Sequence, residues 1–450
     1  MRKIQVNIVN LKKLLTNTYC LLFLSVVQTV LKKREFLWAI YDFADTIFSM
    51  NVVSLYFPLL IVSDLGGKDI HVGIANSVSQ LLVVFAAPIL GIISDRSGKR
   101  MNFFIATALI TTIGTIAIGL TAKLGVILPV IIMFIIANFF YQLSLTFYNS
   151  LLPRVGHSSR WGKISGLGTA LGYLGSIIGM ALVMPFNEGM FFKWQTPISA
   201  GGHIATFIPT AILFSIFALP TILYFTSDEL RTKYPRDKSK AHPFRKIIDT
   251  FRDTKSFPGI RRFIIARFFF QEGVETTIVF MAIFAEKAMA MPDNAKILFF
   301  VIATTAAVIG SFLWGRITDS IGHHRALMLV LAGWIIGLAI LALFPYRNVF
   351  WAVGCWLGIM LGGVWTTSRP YLLRLAPADK VGRFFGLYSL SGKAAAVVGP
   401  LVWGLVILFV ERWSEQLAYR SAVVSMAVLV AIGFVLLAPN SKIFFRKSKL

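Results

Sequence analysis

The chain has 450 residues, of which 56% are hydrophobic and only 14% charged, yet its formal net charge is +24. Soluble domains do not carry so much apolar surface, and apolar runs of membrane-crossing length recur throughout, which excludes a soluble protein. In a soluble chain the basic excess would point to nucleic acid. Here most of the 44 Lys and Arg fall in turns on one side of the implied membrane, so the positive-inside rule explains them and no nucleic-acid partner is implied.

Residues 1–34 are basic, with an apolar stretch from Tyr19 to Leu31 that is too short to span. A cleaved signal lacks its small-residue site, and a thirteenth span would put Arg2, Lys3, Lys12 and Lys13 on the wrong side. Two readings stand: an interfacial helix, or a start codon assigned too early. Lys32-Lys33-Arg34 suits anionic lipid headgroups.

Apolar runs follow at roughly 38–62, 71–94, 103–122, 126–152, 164–184 and 203–225, then at roughly 261–286, 295–316, 326–344, 349–373, 384–409 and 419–439. Each can cross about 30 Å of hydrocarbon at 1.5 Å per residue. The predicted fold is all-α and polytopic: a six-helix half at 35–226, a linker at 227–258, a second six-helix half at 259–440 and a basic tail at 441–450. Continuous runs exclude a β-barrel, which would alternate over short strands. In the linker, Phe244, Ile247, Ile248 and Phe251 recur at helical spacing between charged residues, as in an amphipathic helix lying under the membrane. Both termini are expected in the cytoplasm.

The turn between spans 2 and 3 reads Gly91-Ile92-Ile93-Ser94-Asp95-Arg96-Ser97-Gly98-Lys99-Arg100, and Gly315, Asp319, Gly322 and Arg325 repeat its pattern between spans 8 and 9. Asp42 and Asp45 in span 1 are matched by Glu272 and Glu275 in span 7, and Gly166 and Gly172 in span 5 by Gly386 and Gly392 in span 11. The chain is two copies of one plan, and parallel halves place substrate at their interface near the midplane.

Charge inside a span costs at least a few kcal/mol, so each such residue needs a reason. They are Asp42, Asp45, Arg267, Glu272, Glu275 and Lys393. Three-residue spacing puts each acid pair on one helical face, and close carboxylates repel, which makes one of each pair a seat for a proton. Three roles remain open: proton coupling, ion pairing with Lys393 or Arg267, and direct substrate contact. Trp38, Tyr41, Asn76, Gln80, Asn138, Gln142, Asn149 and Trp365 are either lining for a polar cavity or interhelical packing. Cys20 and Cys355 lie in apolar sequence and the six histidines form no ligand motif, so no disulfide, metal or cofactor is indicated. No nucleophile–base set suggests an enzyme.

The turn with Gly91, Asp95, Arg96, Gly98, Lys99 and Arg100 resembles the signature loop between helices 2 and 3 of the major facilitator superfamily. Trp38-Ala39-Ile40-Tyr41-Asp42-Phe43-Ala44-Asp45-Thr46, Phe147 to Pro153, Ser165 to Gly175, Ser368-Arg369 and Phe384 to Lys393 are similar to its vacuole effluxer-like branch. The resemblance covers about residues 36–439. It implies an alternating-access secondary transporter, with Asp95 and its bases latching the cytoplasmic gate, helped by Asp319 and Arg325. Fungal members are associated with amino-acid efflux from the vacuole, so the expected partners are a small polar solute, a coupling proton and the bilayer, in a monomer. The membrane is then a bacterial-type cytoplasmic one or a vacuolar one. Lys393 and Arg369 can pair with acids or bind a substrate carboxylate. Asp45 stands where the family usually has Asn, and Glu272 and Glu275 where it usually has Asp and a polar residue. This weakens transfer of the amino-acid specificity and favours proton coupling or a cationic solute. A transport-inactive receptor or scaffold on the same fold is the rival reading.

Overall fold

A computed structural model describes residues 33–97, 100–149, 151, 155, 161–191, 194–227, 251–376 and 381–438. Most of the basic N-terminal segment, most of the linker, Gly98 and Lys99 of the signature turn, the side chains of Asp95 and Arg96, and the C-terminal tail lie outside that description.

Among the described residues, twelve helices are long and apolar enough to cross a membrane. In chain order they are α1 (Lys33–Asp64), α2 (Asp69–Ser97), α3 (Arg100–Ala122), α4 (Ile127–Asn149), α5 (Trp161–Glu188), α6 (Phe207–Ser227), α7 (Pro258–Lys287), α8 (Asp293–Ile321), α9 (His323–Leu343), α10 (Arg347–Leu375), α11 (Val381–Val410) and α12 (Glu415–Leu437). They match the twelve predicted runs to within about five residues at each end; most are longer than predicted, while α4 (Ile127–Asn149) is shorter at both ends. A small hairpin, β1 (Met190–Phe191) with β2 (Trp194–Gln195), joins α5 to α6. The membrane thus has a turn side, carrying Ser97 and Arg100, and a far side, carrying the α1–α2 and α5–α6 connections.

The inner helices α1 and α7 are the most enclosed, with 72% of the best apolar window buried in each against 33% in α8. Burial by protein rather than lipid is why these two tolerate ionisable residues. Within the first half Trp38 stacks on Tyr148 at 4.4 Å. Its indole N–H donates to the Tyr148 carbonyl at 3.3 Å, and the Tyr148 hydroxyl donates back to the Trp38 carbonyl at 3.1 Å. That pair fastens α1 to α4. Beyond Phe48 the chain of α1 widens into π-helix at Ser49–Tyr56 and again at Leu60–Asp64. Pro58 lies between, and its missing N–H removes a regular helical bond.

The two halves meet on the far side. Helix α7 packs on residues 49–59 of α1, and α2 crosses α11 in antiparallel contact. A Cβ on Gly73 would overlap the Pro400 carbonyl, one on Gly404 would lie 2.7 Å from the Ile70 Cα, and Ser77 Oγ donates to the Val397 carbonyl at 2.6 Å. Gly73 and Gly404 are needed because α2 and α11 approach backbone to backbone, where any side chain would wedge them apart.

Candidate functional site

Glu272 and Glu275 sit midway along α7, and Lys393 near the middle of α11. Asp42 and Asp45 occupy α1 just before it widens. These residues come from both halves and converge on the midplane. The Lys393 ammonium reaches across to α4, donating to the Gln142 carbonyl and to Gln142 Oε1, both at 3.4 Å. It is also within electrostatic reach of Asp45 and Glu275. Among the described residues no salt bridge joins Lys393 or Arg267 to any of the four acids. A half-buried ammonium held only by long bonds to a neutral amide is poorly satisfied, which suits a group that has a further partner to bind.

The acids divide into two kinds. Glu272 is 1% exposed and tucked within the second half, where its carboxylate accepts from the Gly399 backbone N–H. The other oxygen has no hydrogen-bond partner. A Cβ on Gly399 would land on this carboxylate and on the Thr276 hydroxyl, so glycine there makes the cradle. Asp42 is cradled similarly in the first half, since a Cβ on Gly168 would fall on its carboxylate. Asp45 and Glu275 are the pair that shares Lys393. Glu275 accepts from Gln271 Nε2 at 2.7 Å. Asp45 is buried beside Tyr141, and its Oδ1 has no partner.

Arg267 is buried and engages no acid directly. It donates to the Tyr388 carbonyl at 2.9 Å and Ser391 Oγ at 3.1 Å, with its guanidinium carbon 3.7 Å from the Tyr388 ring centroid. A Cβ on Gly392 would strike that guanidinium. Arg369 is exposed on α10 and within electrostatic reach of Asp42 in the other half. Asn149 is exposed at the turn-side end of α4. Trp38 and Tyr41 make their hydrogen bonds and ring contacts within the first half. Both are buried in the first half, Tyr41 with its hydroxyl 2.9 Å from Ser144 Oγ. Asn138 is likewise internal, donating to Ser79 Oγ at 2.7 Å.

In the turn region, Gly91 meets nothing within 4 Å of a built Cβ, and Gly322 has φ 86°, a left-handed value that glycine adopts without strain. Gly315 faces only the Thr366 methyl. Asp319 and Arg325 are exposed and form no ion pair among the described residues.

Pairing of two pseudo-equivalent six-helix halves around an ionisable midplane is the architecture of the major facilitator transporters. The family model described as "Vacuole effluxer Atg22 like" matches residues 71–441. The chain belongs to that family. This vacuole effluxer-like transporter is 25% identical to the uncharacterized MFS-type transporter YxiO of Bacillus subtilis over 90% of the chain and 94% of that protein. It is 24% identical to autophagy-related protein 22-1 of Aspergillus niger, over 60% of the chain and 45% of that longer protein. The crystal structure of the nucleoside transporter NupG superposes with a TM-score of 0.69 at 16% identity, covering 91% of this chain and 100% of that one. The last likeness concerns the fold alone.

A second polar cluster escaped the sequence reading. On the far side His203, Asp64, Asn187, Ser63, Glu286, Asp293 and Lys296 lie together, while Asp69 accepts from Trp403 at 3.2 Å and Tyr419 at 2.9 Å. Each stands at a helix end, where a charge is ordinary in sequence. Only the fold brings these ends together.

Proposed function

We propose that this transporter moves a small polar, zwitterionic solute, of which an amino acid is the simplest case, by proton-coupled alternating access. The observation that carries the reading is Lys393 of one half, held by Gln142 of the other and flanked by Asp45 and Glu275 without a salt bridge. An ammonium there is complementary to a solute carboxylate, and the flanking acids are complementary to an amine or a proton. Arg369, exposed and near Asp42, offers a second cation on the turn-side approach. The basic turns identify the turn side as cytoplasmic. Contact of the halves on the far side then corresponds to a state whose outer path is shut, with Asp95 and Arg96 belonging to the opposite gate.

The roles divide as the geometry does. Asp45 and Glu275 exchange protons in competition with the solute for Lys393, and Asp42 and Glu272, enclosed by Gly168 and Gly399, hold the coupling charge when the inner pair is occupied. The test uses purified protein in proteoliposomes, after a thermal-shift screen of amino acids, peptides and sugars has found a stabilising ligand. Asp45→Asn and Glu275→Gln should abolish uphill accumulation driven by a pH gradient and leave downhill exchange largely intact. Lys393→Met should lose the ligand's thermal stabilisation. If the neutral variants of all four acids retain full pH-driven accumulation, the coupling reading fails. If no solute moves at all, the scaffold reading replaces transport.

A further inference from the structure

His203 precedes α6 in a short 3-10 turn (His203–Thr206) and is 7% exposed. Its Nδ1 lies 2.9 Å from both carboxylate oxygens of Asp64, at the far end of α1. Its Nε2 lies 2.9 Å from Asp293 Oδ2, at the start of α8 in the other half. Asp293 is a hub: Oδ2 also accepts from Asn187 Nδ2 of α5 at 2.7 Å, and Oδ1 pairs with Lys296 at 2.6 Å. Lys296 is 1% exposed and also pairs with Glu286 of α7, which in turn accepts from Ser63 of α1. Glu188 of α5 is within electrostatic reach of both His203 and Asp293, and the Tyr56 ring lies 6.2 Å from the imidazole. These are the titratable and charged groups that face the ring from α1, α5, α7 and α8.

An imidazole donates through both nitrogens only as imidazolium. A neutral ring would set one lone pair against a carboxylate oxygen at 2.9 Å, so with Asp64 and Asp293 ionised this geometry requires the charged form. We infer that His203 is a proton-binding site in the far-side gate, occupied when the gate is shut and joining Asp64 of the first half to Asp293 of the second. Closing takes one proton from far-side water onto the imidazole and opening returns it there. This proton is not carried across the membrane; it sets the population of the shut state. Without it, Asp64, Glu188, Asp293 and Glu286 confront one another with Lys296 as the sole cation among the residues named, and the shut state loses a charged bond between halves. Acid on the far side therefore favours the state open to the turn side.

The inference rests on the alternating-access reading but on none of its midplane residues, so the two can fail separately. Spin labels on Ser199→Cys of the first half and Asn294→Cys of the second, with Cys20 and Cys355 replaced, report the far-side gap by pulsed electron resonance in nanodiscs without solute. Between about pH 5 and 10 the parent should pass from a short to a long distance, the ratio of the two populations changing by up to about tenfold per pH unit for one linked proton. His203→Gln should remove that pH dependence, and Asp293→Asn should favour the long distance throughout. A circular-dichroism melt of each variant separates gate opening from unfolding. A folded His203→Gln protein that keeps the parent's shift overturns the inference, as does a parent with no shift. If Glu275→Gln removes the shift and His203→Gln does not, the responding group is at the midplane, and the coupling reading stands while this one falls.

Discussion

For single residues, enclosure decides what each polar group does. Trp38 and Tyr41 stand in the same motif as Asp42 and Asp45, yet their rings fill the first half while Asp45 lies within reach of Lys393 across the interface. Trp38 is 1% exposed, stacks on Tyr148 and takes part in two reciprocal bonds with it, each from a side chain to the other's main-chain carbonyl. Removing it leaves a cavity that lipid cannot fill. Trp38→Ala should therefore cost about 3 kcal/mol, read as a lower melting temperature in detergent and lower membrane yield. Trp38→Phe should keep most of the stacking and recover much of the loss. If Trp38→Ala melts with the parent, the α1–α4 fastening is not where the first half gains its stability.

Among the helices, the crossing of α2 and α11 is the mechanical contact of the far-side closure. Gly73 abuts Pro400, and Ser77 bonds the Val397 carbonyl one turn deeper. A larger side chain at 73 has only backbone to push against, so Gly73→Leu should drive the two helices apart and populate the state open on the far side. Ser77 is 3% exposed, so a cysteine at 77 in a cysteine-free background should react slowly with an impermeant thiol reagent from the far side, and several-fold faster once Gly73→Leu is added. Equal rates would place the hinge of closure on another helix pair. The first π-helical stretch of α1, Ser49–Tyr56, begins shortly after the motif that holds Asp45, and α7 packs on it. That places the least regular backbone of the first half between the midplane acids and the His203 cluster.

For the molecule as a whole, orientation rests on charge. The turn at 97–100, the 227–258 linker and the C-terminal tail are each rich in Lys and Arg, so all three should face the cytoplasm. Single cysteines at Ser97, Ser239 and Ser448 should resist an impermeant thiol reagent in intact cells and react after the membrane is opened. Ready labelling of any one in intact cells would reverse the assignment. It would also exchange the sides of the two gates.

The twelve helices, the two-fold plan and the family were all legible in the amino-acid order, because span-length apolar runs have one stable outcome in lipid and a repeated turn marks a repeated half. So were Asp42, Asp45, Glu272, Glu275, Arg267 and Lys393 as the residues to watch, since charge within an apolar run is visible without knowing what surrounds it. Which of these meet was settled by the docking of helices. Three-residue spacing aligns Glu272 with Glu275 on one face of α7, but a single missing Cβ at Gly399, distant in sequence, draws Glu272 into its own half and leaves Glu275 near Lys393. The far-side cluster was invisible for the opposite reason. Asp64, His203 and Asp293 sit at helix ends where polar residues are unremarkable, and their meaning arises when two chain segments, one from each half, arrive within 2.9 Å of one imidazole. Burial against the membrane is a property of local composition, whereas pairing across the interface depends on how the halves dock, and local composition does not encode that.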